Sequence, residues 1–365
     1  MHIVQVLPEL NQGGVERGVV EFSRELVKRG HQSTVISAGG KFAAQIKKDG
    51  GRHIQLDVCS KNPLTAPARI RKLRTTISKL QPDILHARSR VPAWLCWFAN
   101  KKLRIPFITT VHGFNSVSKY SEIMTKGDAV ICVSNPVKEY IQQNYGTPDE
   151  KITVIHRGID PTEFDPEKLD QKWIAEFKEQ FQLNGRYIVS SVGRITELKD
   201  YETFIRAVSA CAKEIPNITG LIVGGVRHDK QAYYERLQTL VKELEAEEHI
   251  VFAGSQSHMP EIYSLSDLLI SCSKKPESFG RTLIEAMAMN TPVIATRHGG
   301  ALDIIQEDNI GALFVPGNAS ELTKLIYDRK NAEPENLRKY ILKHFTLNKT
   351  NQNTIYTYEN LISLP

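Results

Sequence analysis

The sequence predicts an α/β protein built from two doubly wound domains, and three observations support this prediction. Short apolar runs rich in β-branched residues alternate with amphipathic helical stretches, a pattern that indicates parallel βαβ units. The alternation forms two series, and residues 158–185 interrupt it with Gly158, Pro161 and Pro166. The length of 365 residues exceeds one ordinary domain and is enough for two sizeable cores.

The first series contains seven predicted strands and the second contains six. Helical patterns lie between the strands. In Val15–Arg29, for example, apolar residues recur at three- to four-residue spacing until Gly30 ends the helix. Strands are predicted near residues 2–8, 32–38, 53–58, 83–87, 106–112, 129–134 and 152–156, and then near 187–193, 218–224, 250–253, 268–272, 292–296 and 312–315.

These patterns predict the domain boundaries. We expect an N-terminal Rossmann-like domain over residues 1–165 and a C-terminal Rossmann-like domain over residues 166–345, with a final helix at about 346–365 that packs back on the first domain. Ligands of doubly wound sheets bind at the carboxyl ends of the strands. With two such domains, we expect the site in the cleft between them.

The composition is that of an ordinary globular protein, with 41% hydrophobic and 24% charged residues. Its five cysteines are scattered and have no metal-ligand spacing, which favours reduced thiols in a cytosolic protein. The N-terminus enters a strand directly and shows no leader pattern, so we expect a cytoplasmic location. The most apolar short helix, Trp94–Ala99, is too short to span a membrane and is predicted to be buried.

The net charge of +6 is unevenly distributed. Residues 1–165 carry +9 and residues 166–365 carry −3. The basic first half favours an anionic partner or surface, although a solvated basic face is the alternative. Nucleic acid is the weaker candidate, because no aromatic residues interleave with the basic run. The basic residues concentrate on one predicted helix at Arg69, Arg71, Lys72, Arg74 and Lys79.

Two features of the first half are candidate ligand contacts. The loop Asn11-Gln12-Gly13-Gly14 follows the first strand and leads into a helix, so its backbone N–H groups could approach a phosphate. A tight turn with no ligand is the alternative. His86 and His112 each stand at the carboxyl end of a predicted strand, where a histidine is either a ligand contact or a loop residue with protein partners.

The second half opens with two cations at one strand end. Arg194 follows the strand and its glycine directly, and Lys199 lies five residues further on, just before a helix. An arginine fork and a lysine point charge can together hold a diphosphate. Ordinary surface cations are the alternative.

The most specific stretch begins at Glu277, in a loop after an apolar strand. Gly280 to Leu283 begin a helix, and Glu285 lies in its early turns. Backbone N–H groups at Phe279 to Leu283 would form an anion site, and the two glutamates could accept hydrogen bonds from sugar hydroxyls. The alternative is two solvated glutamates near a helix start, where the helix dipole favours them.

These residues resemble a known family. Glu277 and Glu285, with seven residues between them, resemble the EX7E signature of the retaining family 4 glycosyltransferases, which have the two-domain GT-B fold. The segment His156-Arg157-Gly158-Ile159-Asp160 resembles that family's linker strand but has His156-Arg157 in place of the usual Pro-Asn. The other matching motifs occur in the same order, and they are Gly13-Gly14, Arg194 with Lys199, Val251-Phe252-Ala253-Gly254 and Gly299-Gly300.

The resemblance implies a role for each matching residue. The nucleotide sugar would bind mainly to the second domain. Arg194, Lys199 and N–H groups near Thr282 and Leu283 would hold its diphosphate. Glu285 would hold its ribose. Glu277 would contact its sugar, with Ser278, Phe279 and Gly280 beside it. From the first domain, the Gly13-Gly14 loop would close on the diphosphate or acceptor side and His112 would lie beside the donor sugar.

The resemblance also implies the reaction. Transfer would retain the anomeric configuration and need no metal or other cofactor, since the chain contains no Asp-x-Asp and the cations can replace Mg²⁺. We expect a UDP-sugar rather than a GDP-sugar as donor. The expected acceptor is a glycan or lipid-linked precursor of lipopolysaccharide, capsule or exopolysaccharide, met at an anionic cytoplasmic membrane face.

Three other functions are weaker alternatives. A GT-B sugar-nucleotide epimerase or hydrolase would share the diphosphate site without needing an acceptor. A non-catalytic nucleotide-binding module is disfavoured by the joint presence of Arg194, Lys199, Glu277 and Glu285. An NAD enzyme is disfavoured because no GxGxxG follows any predicted strand.

Overall fold

The structure, a computed structural model, describes residues 1–11, 13–330 and 336–363. Gln12 of the glycine loop and residues 364 and 365 of the predicted final helix lie outside the described residues. The chain divides into two compact units. The first unit contains Met1–His156 together with Thr350–Pro365, and the second contains Arg157–Lys349.

The first unit contains a parallel sheet of seven strands in the order β3-β2-β1-β4-β5-β6-β7. The strands are β1 (His2–Val6), β2 (Gln32–Ser37), β3 (Arg52–Gln55), β4 (Ile84–Ala87), β5 (Phe107–Val111), β6 (Ala129–Cys132) and β7 (Ile152–Val154). The helices are α1 (Gly14–Lys28), α2 (Ala43–Lys48), α3 (Ala66–Leu80), α4 (Arg90–Asn100), α5 (Lys119–Glu122) and α6 (Asn135–Tyr145).

The second unit contains a parallel sheet of six strands in the order β10-β9-β8-β11-β12-β13. The strands are β8 (Tyr187–Val192), β9 (Ile218–Val223), β10 (Ile250–Gly254), β11 (Leu268–Ser271), β12 (Val293–Thr296) and β13 (Ala312–Phe314). The helices are α7 (Gln171–Gln180), α8 (Tyr201–Cys211), α9 (Gln231–Glu243), α10 (Met259–Ser264), α11 (Arg281–Ala288), α12 (Ala301–Ile304), α13 (Ala319–Lys330) and α14 (Leu337–His344). The final helix, α15 (Leu347–Ser363), follows.

The predicted α/β class is confirmed, and each predicted strand is present. The strands form because short runs of β-branched and other apolar residues can be buried on both faces of a parallel sheet. All six residues of β9 are buried, for example. Helix α8 covers its sheet with Phe204, Ile205 and Val208, which are fully buried at helical spacing. Each such side chain stabilises the fold by about 1.5–3 kcal/mol.

Each sheet reverses its strand order at one place. In the first sheet the reversal lies between β1 and β4, and in the second it lies between β8 and β11. Ligands of open α/β sheets bind outside the carboxyl ends of the strands at this switch point. The loops that follow these four strands are therefore the places to look for function.

Helix α15 packs on the sheet of the first unit through Tyr358. The Tyr358 ring is fully buried and meets the edge of Phe22, and its hydroxyl lies 2.6 Å from His86 Nδ1. His86 Nε2 lies 2.7 Å from Thr110 Oγ1. Because protein groups contact both ring nitrogens and burial holds the pKa of His86 well below its ordinary value, His86 is a structural residue.

The prediction that the Trp94–Ala99 helix is buried is wrong on one side. Helix α4 buries Leu95 and Cys96, but Phe98 is 38% exposed and the Trp94 and Trp97 rings are only half-buried. Its sequence is apolar on both faces, so periodicity alone did not reveal the exposed aromatic side. Within the described ranges, no helix has both the length and the hydrophobicity that crossing a membrane requires.

All five cysteines are free thiols, as expected. Four of them are buried, and Cys59 is partly exposed.

Candidate functional site

The switch point of the second sheet brings Lys199 and Glu277 together. Lys199 ends a single 3₁₀ turn, Glu197–Lys199, after β8, and Glu277 lies in the loop after β11. Lys199 Nζ is 2.5 Å from Glu277 Oε1, and each side chain is 27% exposed. The lysine stem crosses Gly193, where a Cβ atom would lie 2.9 Å from Lys199 Cε. A glycine after β8 thus allows the ammonium to reach the neighbouring loop.

The Glu277 carboxylate is held in its ionised form. The Ser273 hydroxyl also donates a hydrogen bond to Oε1. Burial alone would raise the pKa of Glu277, but the Lys199 ammonium and the hydrogen bonds from Lys199 and Ser273 outweigh burial, and the pKa lies below its ordinary value. This carboxylate can therefore accept hydrogen bonds from hydroxyl groups at neutral pH.

A second set of contacts fixes the same two loops. Lys274 Nζ is 3.2 Å from Asp200 Oδ1, and the Lys274 N–H donates to the Leu198 carbonyl at 2.8 Å. Asp200 is 1% exposed and also accepts a hydrogen bond from Thr203 Oγ1. The loops after β8 and β11 are therefore connected both at Lys199–Glu277 and at Lys274–Asp200.

Arg194, the other predicted diphosphate contact, is placed differently from Lys199. It is exposed at the end of β8, and none of the ion pairs among the described residues includes it. Its guanidinium is therefore accessible to an anionic ligand, whereas the Lys199 ammonium already contacts Glu277. Within the described parts of the chain, no three His, Cys, Asp or Glu side chains cluster as ligands for a metal ion.

The start of α11, a few residues after Glu277, presents backbone donors. The cap residue Gly280 has φ 102° and no side chain to bond the first turn. The N–H of Leu283 donates to the Gly280 carbonyl at 3.0 Å. The backbone N–H groups of Arg281 and Thr282 are therefore the first-turn donors that can reach a ligand. The Phe279 and Leu283 side chains are in the core, so these two residues can contact a ligand only through their backbones. Ser278 is half-buried in the same loop.

Glu285 lies deeper, on the first turns of α11, and both of its oxygens have protein partners. Arg281 Nε donates to Oε1 at 2.7 Å, and the buried Tyr263 hydroxyl donates to Oε2 at 2.8 Å. Burial raises the pKa of Glu285, although Arg281 and Tyr263 oppose that shift. A carboxylate oxygen has two lone pairs, so Glu285 retains capacity for a ligand hydroxyl.

The glycine pair after β12 supports the Glu277 loop. The Gly300 N–H donates to the Glu277 carbonyl at 2.8 Å. A Cβ at Gly299, whose φ is 59°, would lie 2.4 Å from that carbonyl oxygen, and one at Gly300 would lie 2.2 Å from Phe279 Cα. Only glycines fit this close backbone approach.

His298, directly before the pair, lies at the same place. Both of its ring nitrogens are buried without a hydrogen-bond partner among the described residues, and an electrostatic interaction with His298 contributes to the lowered pKa of Glu277. Buried polar groups normally have partners, so His298 is a candidate ligand contact.

Sequence reasoning missed four side chains of this site. Ser273, Arg281 and Tyr263 hold the two glutamates, and His298 lies beside them. The position of His298 directly before the glycine pair was an available signal. No sequence pattern indicated Tyr263, because it lies 22 residues from Glu285 on a different helix.

The first unit has a separate pocket at its own switch point. Gly13 has φ 146° and caps α1, and both predicted loop glycines, Gly13 and Gly14, are exposed. His112 follows β5 and lines a pocket of about 300 Å³. The described residues that line it are Pro8, Val15, Glu16, Arg88, Ser89, Arg90, Thr110, His112, Gly113, Phe114, Asn115 and Met124.

Comparison with known proteins identifies the family of this chain. Residues 12–163 match the family model described as Glycosyltransferase Family 4, and residues 174–344 match that described as Glycosyl transferases group 1. A glycosyltransferase structure from Rickettsia africae is 32% identical over 100% of this chain and 99% of its own, with a TM-score of 0.91. The chain therefore belongs to the glycosyltransferases of GT-B type, with a family 4 domain followed by a group 1 domain, and it is an enzyme.

More distant proteins are similar to this chain over most of its length. N-acetyl-alpha-D-glucosaminyl L-malate synthase of Bacillus anthracis is 26% identical over 328 residues, which is 83% of this chain and 81% of that protein. A structure of Anabaena HepE in complex with UDP and glucose is 21% identical, has a TM-score of 0.82, and covers 98% of this chain and 99% of that one. At this identity the HepE likeness supports the fold alone.

Proposed function

We propose that this glycosyltransferase transfers a sugar, with retention and without a metal, from a nucleotide diphosphate donor to a glycan or lipid-linked acceptor. The observation that carries the donor assignment is the convergence of Lys199, Glu277 and the start of α11 at the switch point of the second sheet. Cations and backbone N–H groups match a diphosphate, and the ionised Glu277 matches sugar hydroxyls.

Each group has a distinct task in this proposal. Arg194, Lys199 and the first N–H groups of α11 stabilise the negative charge that grows on the diphosphate as the bond to the sugar breaks. Glu277 positions the sugar through its hydroxyls, and Glu285 holds the ribose.

The bond changes occur on one face of the sugar. The C1–O bond to the diphosphate breaks, the acceptor oxygen bonds to C1 from the same face, and the departing phosphate takes the acceptor proton. Glu277 and Glu285 are not assigned the nucleophile and acid roles that carboxylates have in retaining glycosidases, because this proposal gives Glu277 to the sugar hydroxyls and Glu285 to the ribose.

A UDP-sugar is the favoured donor. Anabaena HepE, which shares the fold, has been crystallised with UDP and with UDP-glucose. A thermal-shift screen of the purified enzyme with UDP- and GDP-sugars tests the assignment, because a ligand that binds the native state raises the unfolding temperature. We expect stabilisation by at least one UDP-sugar. Stabilisation by GDP-sugars alone would overturn the choice of base.

A sugar-nucleotide epimerase or hydrolase is the second candidate. Its distinguishing property is turnover without an acceptor. Incubating the enzyme with the stabilising sugar nucleotide alone should yield little isomer or free sugar. Rapid acceptor-free conversion would favour the second candidate.

The proposed acceptor side includes a membrane contact on α3. Arg71, Lys72 and Lys79 of α3 are exposed, and we call these three residues the basic face. The other two predicted cations have structural roles. Arg69 donates to the Ser60 and Asn62 carbonyls, and Arg74 donates to the carbonyls of Phe98 and Ala99 at the end of α4.

The exposed aromatic side of α4 belongs to a helix that Arg74 joins to α3, the helix of the basic face. The Arg74 bonds join α3 to the end of α4, where Trp97 and Phe98 lie under the Lys101 ammonium. Aromatic rings beside cations suit the interface of an anionic bilayer, and each nearby cation contributes about 1 kcal/mol. We propose salt-sensitive peripheral attachment at the cytoplasmic membrane face, as in assembly of lipopolysaccharide, capsule or exopolysaccharide.

Vesicle co-sedimentation tests the membrane contact. The wild type should sediment with anionic vesicles at low salt and be released at high salt. Changing Arg71, Lys72 and Lys79 to Glu should abolish binding. The matched control changes three exposed lysines of the second unit, Lys213, Lys242 and Lys324, to Glu.

The competing view is a soluble enzyme with a small acceptor, as the name of the L-malate synthase relative indicates for that protein. Wild type that stays in the supernatant at low salt would favour this view. Equal loss of binding in the control would show that only net charge matters.

A further inference from the structure

The pocket of the first unit holds more positive charge than the protein neutralises there. Arg88 follows β4 and lines the pocket. Its Nη2 donates to the neutral Gln5 amide oxygen at 2.7 Å, and its guanidinium lies 5.6 Å from the centre of the Phe22 ring. Its Nε is buried with no hydrogen-bond acceptor among the described residues.

Arg90 adds a second guanidinium to the same pocket. Its Nη1 donates to the Ser121 hydroxyl at 3.2 Å, and it lies 5.4 Å from the centre of the Tyr120 ring. Both of these partners are neutral. Glu16 is the one carboxylate among the described lining residues, and no ion pair in the described ranges joins it to either arginine.

A half-buried guanidinium that meets no carboxylate is costly to maintain. Burial lowers the pKa of Arg88, but an arginine remains charged in proteins. The packing of the first unit therefore holds a cation that lacks its counter-ion, beside a cavity at the sheet's switch point. An arginine fork is the side chain best suited to bind carboxylate or phosphate through two hydrogen bonds.

The start of α4 reinforces the same charge. This helix of 11 residues begins at Arg90, and its cap residue Ser89 lines the pocket without capping the first turn through its side chain. The first N–H groups of α4 therefore add positive potential beside the two arginines. His112 completes the polar side of the pocket.

We propose that this pocket binds an anionic group of the acceptor, a phosphate or a carboxylate, through Arg88 and Arg90. This inference rests on the proposed function, because it takes the first domain as the acceptor side. A volume of about 300 Å³ is at the small end of ligand pockets, so the pocket accommodates one sugar-sized unit. The acceptor is thus a glycan or lipid-linked molecule whose bound unit carries a phosphate or a carboxylate, rather than a neutral oligosaccharide.

Calorimetric titration of the intact enzyme with inorganic phosphate, and separately with succinate, tests the proposal. The stronger ligand of the two identifies the kind of anion. Arg90→Gln, and in a second variant Arg88→Gln, should weaken its binding about 10- to 100-fold, as expected for the loss of a charge-assisted hydrogen bond. Arg90 is the more informative position if Arg88→Gln fails to fold.

Two controls locate the anion. Arg52→Gln removes an exposed arginine of the same unit outside the pocket and should bind the anion as the wild type does. Saturating UDP, which occupies the proposed donor site, should leave in place the anion binding that Arg90→Gln weakens. Absence of binding for both anions, or equal affinity in Arg90→Gln and wild type, would overturn the proposal.

Anion binding that UDP displaces would also overturn the proposal, because the anion would then lie at the donor site. The nucleotide-sugar thermal-shift screen reports on the proposed function independently. Stabilisation by a nucleotide sugar without anion binding at Arg90 would refute this inference alone.

Discussion

Lys199→Ala separates two roles that the structure gives to this lysine. The ammonium contacts Glu277 at 2.5 Å, and both side chains are 27% exposed. A hydrogen-bonded ion pair contributes about 1.5–3 kcal/mol when buried and at most about 1 kcal/mol when exposed. With this partial exposure we expect about 1 kcal/mol, so a lysine that served only to hold Glu277 would change activity about fivefold.

Stabilising the diphosphate in the transition state has a larger effect. Removal of one preorganised donor costs about 10²–10³-fold in turnover, or about 2.7–4 kcal/mol. We therefore expect Lys199→Ala to lower turnover of the nucleotide sugar by that factor while lowering the free energy of unfolding by only about 1 kcal/mol. Steady-state kinetics and chemical denaturation of the same preparations measure both quantities.

Lys274→Ala is the matched control. Lys274 also joins the two loops, through Asp200, but it is 47% exposed and is not assigned to the donor. Because it leaves the buried Asp200 carboxylate without its cation, this variant should lose stability while keeping turnover within a few-fold of wild type. A loss below about 10-fold in Lys199→Ala, or an equal loss in both variants, would refute a direct role for Lys199.

Three further outcomes are expected. Glu285→Ala should weaken the affinity for UDP measured by calorimetry, whereas Glu277→Gln should mainly lower the rate of sugar transfer. An unchanged affinity for UDP in Glu285→Ala would contradict the ribose assignment. Activity should survive EDTA, because cations and N–H groups hold the diphosphate, and a full loss restored by Mg²⁺ would contradict this. Because the pKa of Glu277 is lowered, its ionised carboxylate stabilises the fold above pH 4.5, and this contribution is lost as the pH falls through that pKa. The difference in free energy of unfolding between wild type and Glu277→Gln should therefore shrink in acid. A difference that stays constant with pH would exclude this contribution.

The fold could be predicted from the sequence because the strands are short, apolar and separated by amphipathic helices. The segments of β8 and β11 are short apolar runs that predict buried strands, and each is followed by a loop with charged residues. That Lys199 contacts Glu277 could not be read from spacing, since 78 residues separate them. The contact follows from strand order, which places β8 beside β11.

Contacts with backbone carbonyls and distant side chains could not be predicted. The sequence does not distinguish Arg69 and Arg74 from the exposed cations of α3. In the structure, however, they donate hydrogen bonds to carbonyls outside that helix. The sequence shows only that Arg88 follows a strand, whereas packing shows that its contacts include the neutral Gln5 amide and the Phe22 ring. Sequence periodicity predicts which face of a helix is apolar, but it does not give the positions of neighbouring chain segments.

Hydrogen–deuterium exchange with UDP tests the central claim most directly, with GDP in parallel. If the second unit holds the donor, UDP should slow exchange of backbone amides at 193–200 and 278–283, and Lys199→Ala should reduce that protection. Slowed exchange confined to other segments, or no change at saturating concentrations of either nucleotide, would contradict the account.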